Sequence, residues 1–198
     1  MNNLFRHFPR GFDDKYKILE WNSALAILTT DFGEQFADIC SVLNEFQLRR
    51  SDVVAGGGSK SEVAKFLDNR LEDLGWSEYK FEISIDIDGN KISAPTHKID
   101  CVKGKVALDI EWNNKTEFYD RDLNNFRKLY DLGAISVGVI VTRATELQRE
   151  VFKPLGVGKK YGASTTHLDK LIPKVEGGGN GGCPLLVIAV KPGAYVND

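Results

Sequence analysis

Asp100, Asp109 and Glu111 are the residues whose types and spacing point most directly to chemistry. They lie in Ile99-Asp100-Cys101-Val102-Lys103-Gly104-Lys105-Val106-Ala107-Leu108-Asp109-Ile110-Glu111-Trp112, two apolar-rich segments joined across Lys-Gly-Lys, which reads as a β-hairpin. With the reversal near Gly104, Asp100 falls almost opposite Leu108, close to Asp109 and Glu111 on the neighbouring strand. Strand alternation sends Asp109 and Glu111 to one face and Ile110 to the other. Like charges on adjacent strands repel, and burial raises the cost, so a bound cation is what makes this crowding tolerable. Hard oxygen ligands favour Mg²⁺, Mn²⁺ or Ca²⁺ over zinc. The alternative is an exposed hairpin whose acids all face water; the apolar flanks of the second strand argue against it.

Elements on either side must position this hairpin. Tyr16 to Ile27 reads as a strand region, and Phe32 to Gln47 as an amphipathic helix with Phe36, Ile39, Cys40, Leu43 and Phe46 at helical spacing. Ala55-Gly56-Gly57-Gly58-Ser59-Lys60-Ser61-Glu62 lacks the GxxxxGK[ST] spacing of a phosphate loop; it reads as a loop ending in a Ser59–Glu62 capping box, opening a helix that runs through Leu74 and stops at Gly75. Phe81 to Ile85 alternates as a strand, and Asp88-Gly89 is a hairpin turn, since the calcium-loop pattern would put His97 where a bidentate Glu is needed. Asp120 to Leu132 is a polar-faced helix, Ala134 to Thr142 a strand buried on both faces, Thr145 to Phe152 a short helix, and Leu185 to Val190 a last buried strand. Strands alternating with helices predict an α/β fold with a central mixed β-sheet flanked by helices. Between the last two strands, residues 153–184 form a long Gly- and Lys-rich stretch expected to be a loop; its Lys159, Lys160, Ser164, Thr165, Thr166 and His167 suit contact with phosphates and base edges.

Composition limits what such a site could serve. A chain of 198 residues with 42% hydrophobic content can bury a core, and one domain over residues 1–198 is expected. The net charge of −2 announces no basic field, although 26 Lys and Arg residues could gather on one face. Cys40, Cys101 and Cys183 form no CxxC pair and suit free thiols in a reducing cytosol better than a disulfide or zinc framework. The opening residues lack the apolar core of a signal peptide and no stretch approaches membrane-spanning length, so a soluble cytoplasmic protein with no membrane association is expected. His7, His97 and His167 have no companion motif such as GxSxG, which argues against a histidine-based hydrolase.

The spacing of Asp100, then Asp109-Ile110-Glu111, resembles the core of the PD-(D/E)XK nucleases, and specifically the BglII, BstYI and BamHI group of type II restriction endonucleases. In that group Gln or Glu replaces the usual catalytic lysine, and this chain carries Glu111 there. The runs Glu111-Trp112-Asn113-Asn114-Lys115 and Arg121-Asp122-Leu123-Asn124-Asn125-Phe126, with Tyr161 to Thr166 and Cys183 to Ile188 downstream, are similar to segments of the same group. Two departures stand: Asp109 occupies a position where better-known members carry Glu, and Ile99 precedes Asp100 in place of the motif's Pro.

The resemblance implies a PD-(D/E)XK restriction endonuclease-like fold and Mg²⁺-dependent hydrolysis of double-stranded DNA, with Mn²⁺ as a possible substitute ion. Asp100, Asp109 and the Ile110 carbonyl would hold the metal, and Glu111 would orient or deprotonate water. Lys115 and the loop residues would contact DNA, with Lys115 or Lys103 adding positive charge. A further acid is expected from the segment after the second helix, with Glu78 nearest and Glu82 and Glu72 as alternatives. It also implies a homodimer on a short palindrome containing GATC, and a partner DNA methyltransferase. Another repair or nicking nuclease of the superfamily, or a DNA-binding module without catalysis, are the alternatives.

Overall fold

The β-branched runs predicted as buried strands form the middle of one sheet. The computed structural model describes residues 3–55 and 60–198; Met1, Asn2 and the run Gly56, Gly57, Gly58 and Ser59 lie outside them. From the N-terminus come α1 (Phe12–Lys15), β1 (Tyr16–Trp21), α2 (Ala24–Asp31), α3 (Gly33–Glu45), the two-residue β2 (Leu48–Arg49), α4 (Arg50–Val54) and α5 (Glu62–Glu72). Next are β3 (Ser77–Tyr79), β4 (Ile83–Ile87), β5 (Asn90–Ala94), β6 (Ile99–Lys103) and β7 (Val106–Ile110). The chain closes with α6 (Glu117–Asp131), β8 (Val137–Arg143), α7 (Leu168–Glu176), β9 (Leu185–Val190) and β10 (Tyr195–Val196).

The main sheet runs β1-β9-β8-β7-β6-β3, with β7, β8 and β9 parallel and the outer pairings antiparallel, the mixed α/β architecture expected from the sequence. Alternation along the strands divides the core into two layers. Leu108, Ile110, Val139, Val141 and Ile188 pack with Ile39 and Leu43 of α3 and Leu67 and Leu71 of α5. Ala107, Ile140, Leu185 and Val187 pack with Leu123 and Phe126 of α6 and Leu168 and Leu171 of α7. Each such fully buried Leu, Ile or Phe contributes roughly 1.5–3 kcal/mol. On β8, a Cβ added at Gly138 would meet the Phe126 ring at 2.5 Å, so glycine is what lets α6 lie directly on the sheet.

Four expectations are corrected. The strand beginning at Tyr16 ends at Trp21, because Asn22 and Ser23 both adopt left-handed backbone and turn the chain into α2, whose Ala24, Leu25 and Leu28 are buried at helical spacing. The N-cap of α5 is Ser61, whose side chain accepts from the Ala64 N–H at 3.1 Å; the Ser59 of the expected capping box lies outside the described residues. Helix α5 itself ends at Glu72, and the chain turns through Gly75 (φ 86°), the expected stop, with the Trp76 N–H closing onto Leu71 O at 3.1 Å. The stretch 153–184 is no continuous loop, since it contains α7, with Leu168, Leu171 and Val175 on its buried face; Pro173 inside that helix masked the pattern.

The Asp88-Gly89 turn joins β4 and β5 with positive φ at both residues, and the expected short helix near Thr145 is a π-helical turn over Gln148–Phe152. All three cysteines are buried and free. No helix among the described residues is long and apolar enough to cross a membrane.

Candidate active site

Strands β6 and β7 meet at a turn where Gly104 takes φ 60°. Cys101, one residue beyond Asp100, is the partner of Leu108, so Asp100 comes abreast of Asp109, one position off the expected register. The regular ladder stops at Cys101, and side chains take over from it. Asp109 Oδ1 accepts the Asp100 N–H at 3.0 Å, and Asp100 Oδ2 accepts the Ile110 N–H at 2.8 Å. Ile110 joins the core layer of α3 and α5, while Asp109 and Glu111 turn to the opposite face, where α6 lies.

Asp109 and Glu111 are each only 1% exposed, which makes their ionisation expensive. Burial, and then the charges of Asp122 and Asp100, hold the Asp109 carboxyl well above the ordinary carboxylate range. Burial likewise pushes Glu111 up to about 10, with the neighbouring Asp122 charge adding to it. Asp100 is pushed up to about 6, by burial first, against the opposing Ile110 N–H and with the charges of Asp68 and Asp122 adding. Without a cation, burial therefore favours the neutral forms of Asp109 and Glu111.

Sequence reasoning missed the helix residues that complete the cluster. Asp122 of α6 is 1% exposed and receives Arg121 Nε at 2.8 Å and Nη2 at 2.7 Å. The same Nη2 stands 3.5 Å from Glu111 Oε1, and Asn114 Nδ2 donates to Glu111 Oε2 at 2.9 Å. From α5, Asp68 accepts the Cys101 thiol at 3.5 Å and pairs with Lys60. A signal for Asp122 was present, because it falls beside Tyr119, Leu123 and Phe126 on the apolar stripe of α6, where a solvated carboxylate has no place.

The additional acid expected at Glu78 lies at the rim, exposed and paired with Lys98 at 2.6 Å. Its alternatives Glu72 and Glu82 are also exposed. Lys103 is turned away, bound to Asp38 at 2.8 Å and Glu34 at 2.7 Å, so it supplies no charge to the cluster.

An open cleft of about 300 Å³ is lined by Asp100, Ile110 and Glu111, with Lys60 and Ser61 and, from α6, Phe118 and Arg121 around it. Among the described residues no three His, Cys, Asp or Glu side chains form a ready-made metal cage. A hard divalent ion does not need one, because Mg²⁺ is commonly held by one or two carboxylates with water and substrate phosphate completing the shell. Asp109 Oδ2 is buried with no hydrogen-bond partner beside a second carboxylate, and an oxygen left that way fits a cation.

The residues expected to touch DNA divide. Lys115, Lys159 and Ser164 are exposed, and a bridge from Lys115 to Thr165 brings the 160s segment beside the turn between β7 and α6. Thr166 is fully enclosed, its hydroxyl accepting the Asn114 N–H at 3.1 Å, and the buried His167 Nδ1 meets Thr145 Oγ1 at 2.9 Å. Thr165 Oγ1 receives buried Arg143 at 2.7 Å, and Lys160 donates to Ala55 O at 2.7 Å and Val53 O at 3.1 Å. These four polar side chains fasten the segment to the body of the protein, because a buried donor or acceptor without a partner is costly.

Against known proteins, the family model for the restriction endonuclease BglII/BglIII matches residues 16–190. No individually curated protein matches the chain.

Proposed function

From the premise that this chain belongs to the BglII/BglIII restriction endonuclease family, and is a site-specific deoxyribonuclease with the divalent-metal dependence that goes with it, we propose a type II enzyme using Mg²⁺ at a short palindromic site. The observation that carries the reading is the Asp100–Asp109 pair, locked across two strands, with Asp100 and Glu111 lining a cleft.

Asp100 and Asp109 would hold the ion, with the Ile110 carbonyl as a further ligand. A divalent ion bound there would supply Lewis-acid stabilisation of charge on the phosphate, lower the pKa of the attacking water and favour the ionised carboxylates. Glu111, once ionised, orients the attacking water and accepts its proton. Asn114 fixes which way that carboxylate points. The water oxygen forms a bond to phosphorus as the bond to the 3′ oxygen breaks in line.

Lys115, Lys159 and Ser164 contact the DNA backbone, on the strength of their exposure. A homodimer matches a palindrome, since two symmetry-related sites reach both strands. A GATC-centred site and a partner methyltransferase rest on the family likeness alone. Incubating the protein with plasmid DNA and Mg²⁺ and sequencing the ends tests the reading. One set of discrete ends at a palindrome is expected. Nicks or a smear would favour another nuclease of the same superfamily, and salt-sensitive binding without cleavage would leave a binding module.

A further inference from the structure

We propose that Arg121 contacts the scissile phosphate through its guanidinium, supplying the positive charge that Glu111, as an acid in the position of a catalytic lysine, cannot. The inference rests on the endonuclease reading. Three observations carry it. First, the acids Asp68, Asp100, Asp109, Glu111 and Asp122 are gathered here, and Lys60 is already paired with Asp68, while Lys103 is bound elsewhere. Arg121 is the cation that reaches Glu111 among the described residues.

Second, the guanidinium is held in place before any ligand arrives. Asp122 takes Nε at 2.8 Å and Nη2 at 2.7 Å, and the Phe118 ring lies 4.3 Å beneath the guanidinium carbon. A planar cation fixed on two sides loses little freedom on donating to a third group. Third, it remains reachable. The side chain is 31% exposed and lines the cleft, and Nη1 makes no hydrogen bond among the described residues.

In the reaction Arg121 stays protonated and transfers nothing. Its Nη1–H donates to a nonbridging phosphate oxygen, and that bond strengthens as charge builds there while the phosphorus–3′-oxygen bond breaks. A purely structural partner of Asp122 would instead affect folding and leave the rate of the folded protein unchanged.

The test compares Arg121→Gln and Arg121→Lys with the unsubstituted protein, reading thermal stability, the single-turnover cleavage rate at saturating DNA and Mg²⁺, and the DNA concentration giving half that rate. Arg121→Gln is expected to slow the saturated rate by about 10²–10³-fold, with the half-saturating concentration within about threefold. Arg121→Lys should recover at least about tenfold over Gln, since it restores charge without the fork. A Gln variant cleaving within about threefold of the unsubstituted rate, a Lys variant no faster than Gln, or a loss confined to the half-saturating concentration would each overturn the assignment.

If Arg121→Gln unfolds, Phe118→Leu takes its place. Removing the ring beneath the guanidinium should slow the saturated rate by about tenfold, and an unchanged rate overturns the proposal. Discrete cleavage by the unsubstituted protein keeps the endonuclease reading in force whichever way Arg121 falls. Absence of cleavage by the unsubstituted protein removes both.

Discussion

Asp100 and Asp109 take over the β6–β7 ladder where its backbone pairing ends: Asp109 Oδ1 accepts the Asp100 N–H at 3.0 Å, and Asp100 Oδ2 accepts the Ile110 N–H at 2.8 Å. Each carboxylate keeps one oxygen beyond these bonds, and that of Asp109 is buried without a hydrogen-bond partner. Backbone geometry therefore sets the separation of the two acids, which makes them a rigid seat for a cation.

Asp100→Asn and Asp109→Asn should each reduce cleavage by at least about 10²–10³-fold while the protein stays folded. Asparagine keeps the acceptor oxygen that each backbone N–H needs but removes the charge. Because burying crowded carboxylates is costly, melting temperatures in the absence of metal should stay level or rise. Single-turnover assays beside thermal melts check both, and retained activity in either variant removes these residues from the mechanism.

Stability should also depend on pH in a particular direction. Asp100 (ordinarily 3.8, here about 6) and Glu111 (ordinarily 4.5, here about 10) hold protons more tightly folded than unfolded. The stabilisation is complete below the ordinary carboxylate range and is lost as pH rises, through about 6 for Asp100 and towards about 10 for Glu111. The metal-free melting temperature should therefore fall across that window, and Mg²⁺ should flatten the fall by binding the ionised acids. A metal-free melting temperature that climbs steadily over the same range would contradict the burial of this cluster.

The division among the polar residues of the 160s gives a paired test. Thr166→Val strands the Asn114 N–H and should cost about 1–3 kcal/mol of stability, with DNA affinity of the folded protein unchanged. Lys115→Ala should leave stability alone, weaken DNA binding and reduce the slope of log affinity against log salt by about 1. Denaturant melts and salt-titrated binding separate the two, and the reverse pattern would show that the backbone contacts were assigned to the wrong side chains.

Gly138→Ala tests the link from fold to site. The added methyl meets the Phe126 ring at 2.5 Å, so α6 must move off β8. A cost of about 1–3 kcal/mol is expected, with a further loss of cleavage in the folded fraction because Arg121 and Asp122 ride on that helix. A variant that is less stable yet cleaves at the full rate would show that the site tolerates the shift.

Local periodicity was enough to read the hairpin, the opposite facing of Asp109 and Ile110, helix α3 and the buried strands β8 and β9, because each depends on alternation or on 3.6-residue spacing within one segment. The family likeness rested on the same hairpin and agrees with the match over residues 16–190. Periodicity placed Asp100 one residue out, since a ladder that hands over to side chains leaves no trace in a hydrophobic pattern. It also hid α7 behind Pro173, and it left Thr166 and His167 looking like loop residues although both are buried.

Along the chain, then, the sequence by itself determined the type and order of the acids on β6 and β7 and the mixed α/β layering, both local consequences of side-chain pattern. Only the tertiary structure decided which distant residues join them. Asp122 and Arg121 arrive from α6, and Asp68 from α5, because apolar burial presses those helices onto opposite faces of the sheet and Gly138 permits the close approach of α6. Their charges look like ordinary helix decoration until packing removes the water around them, and the electrostatics of the cleft follow from that desolvation.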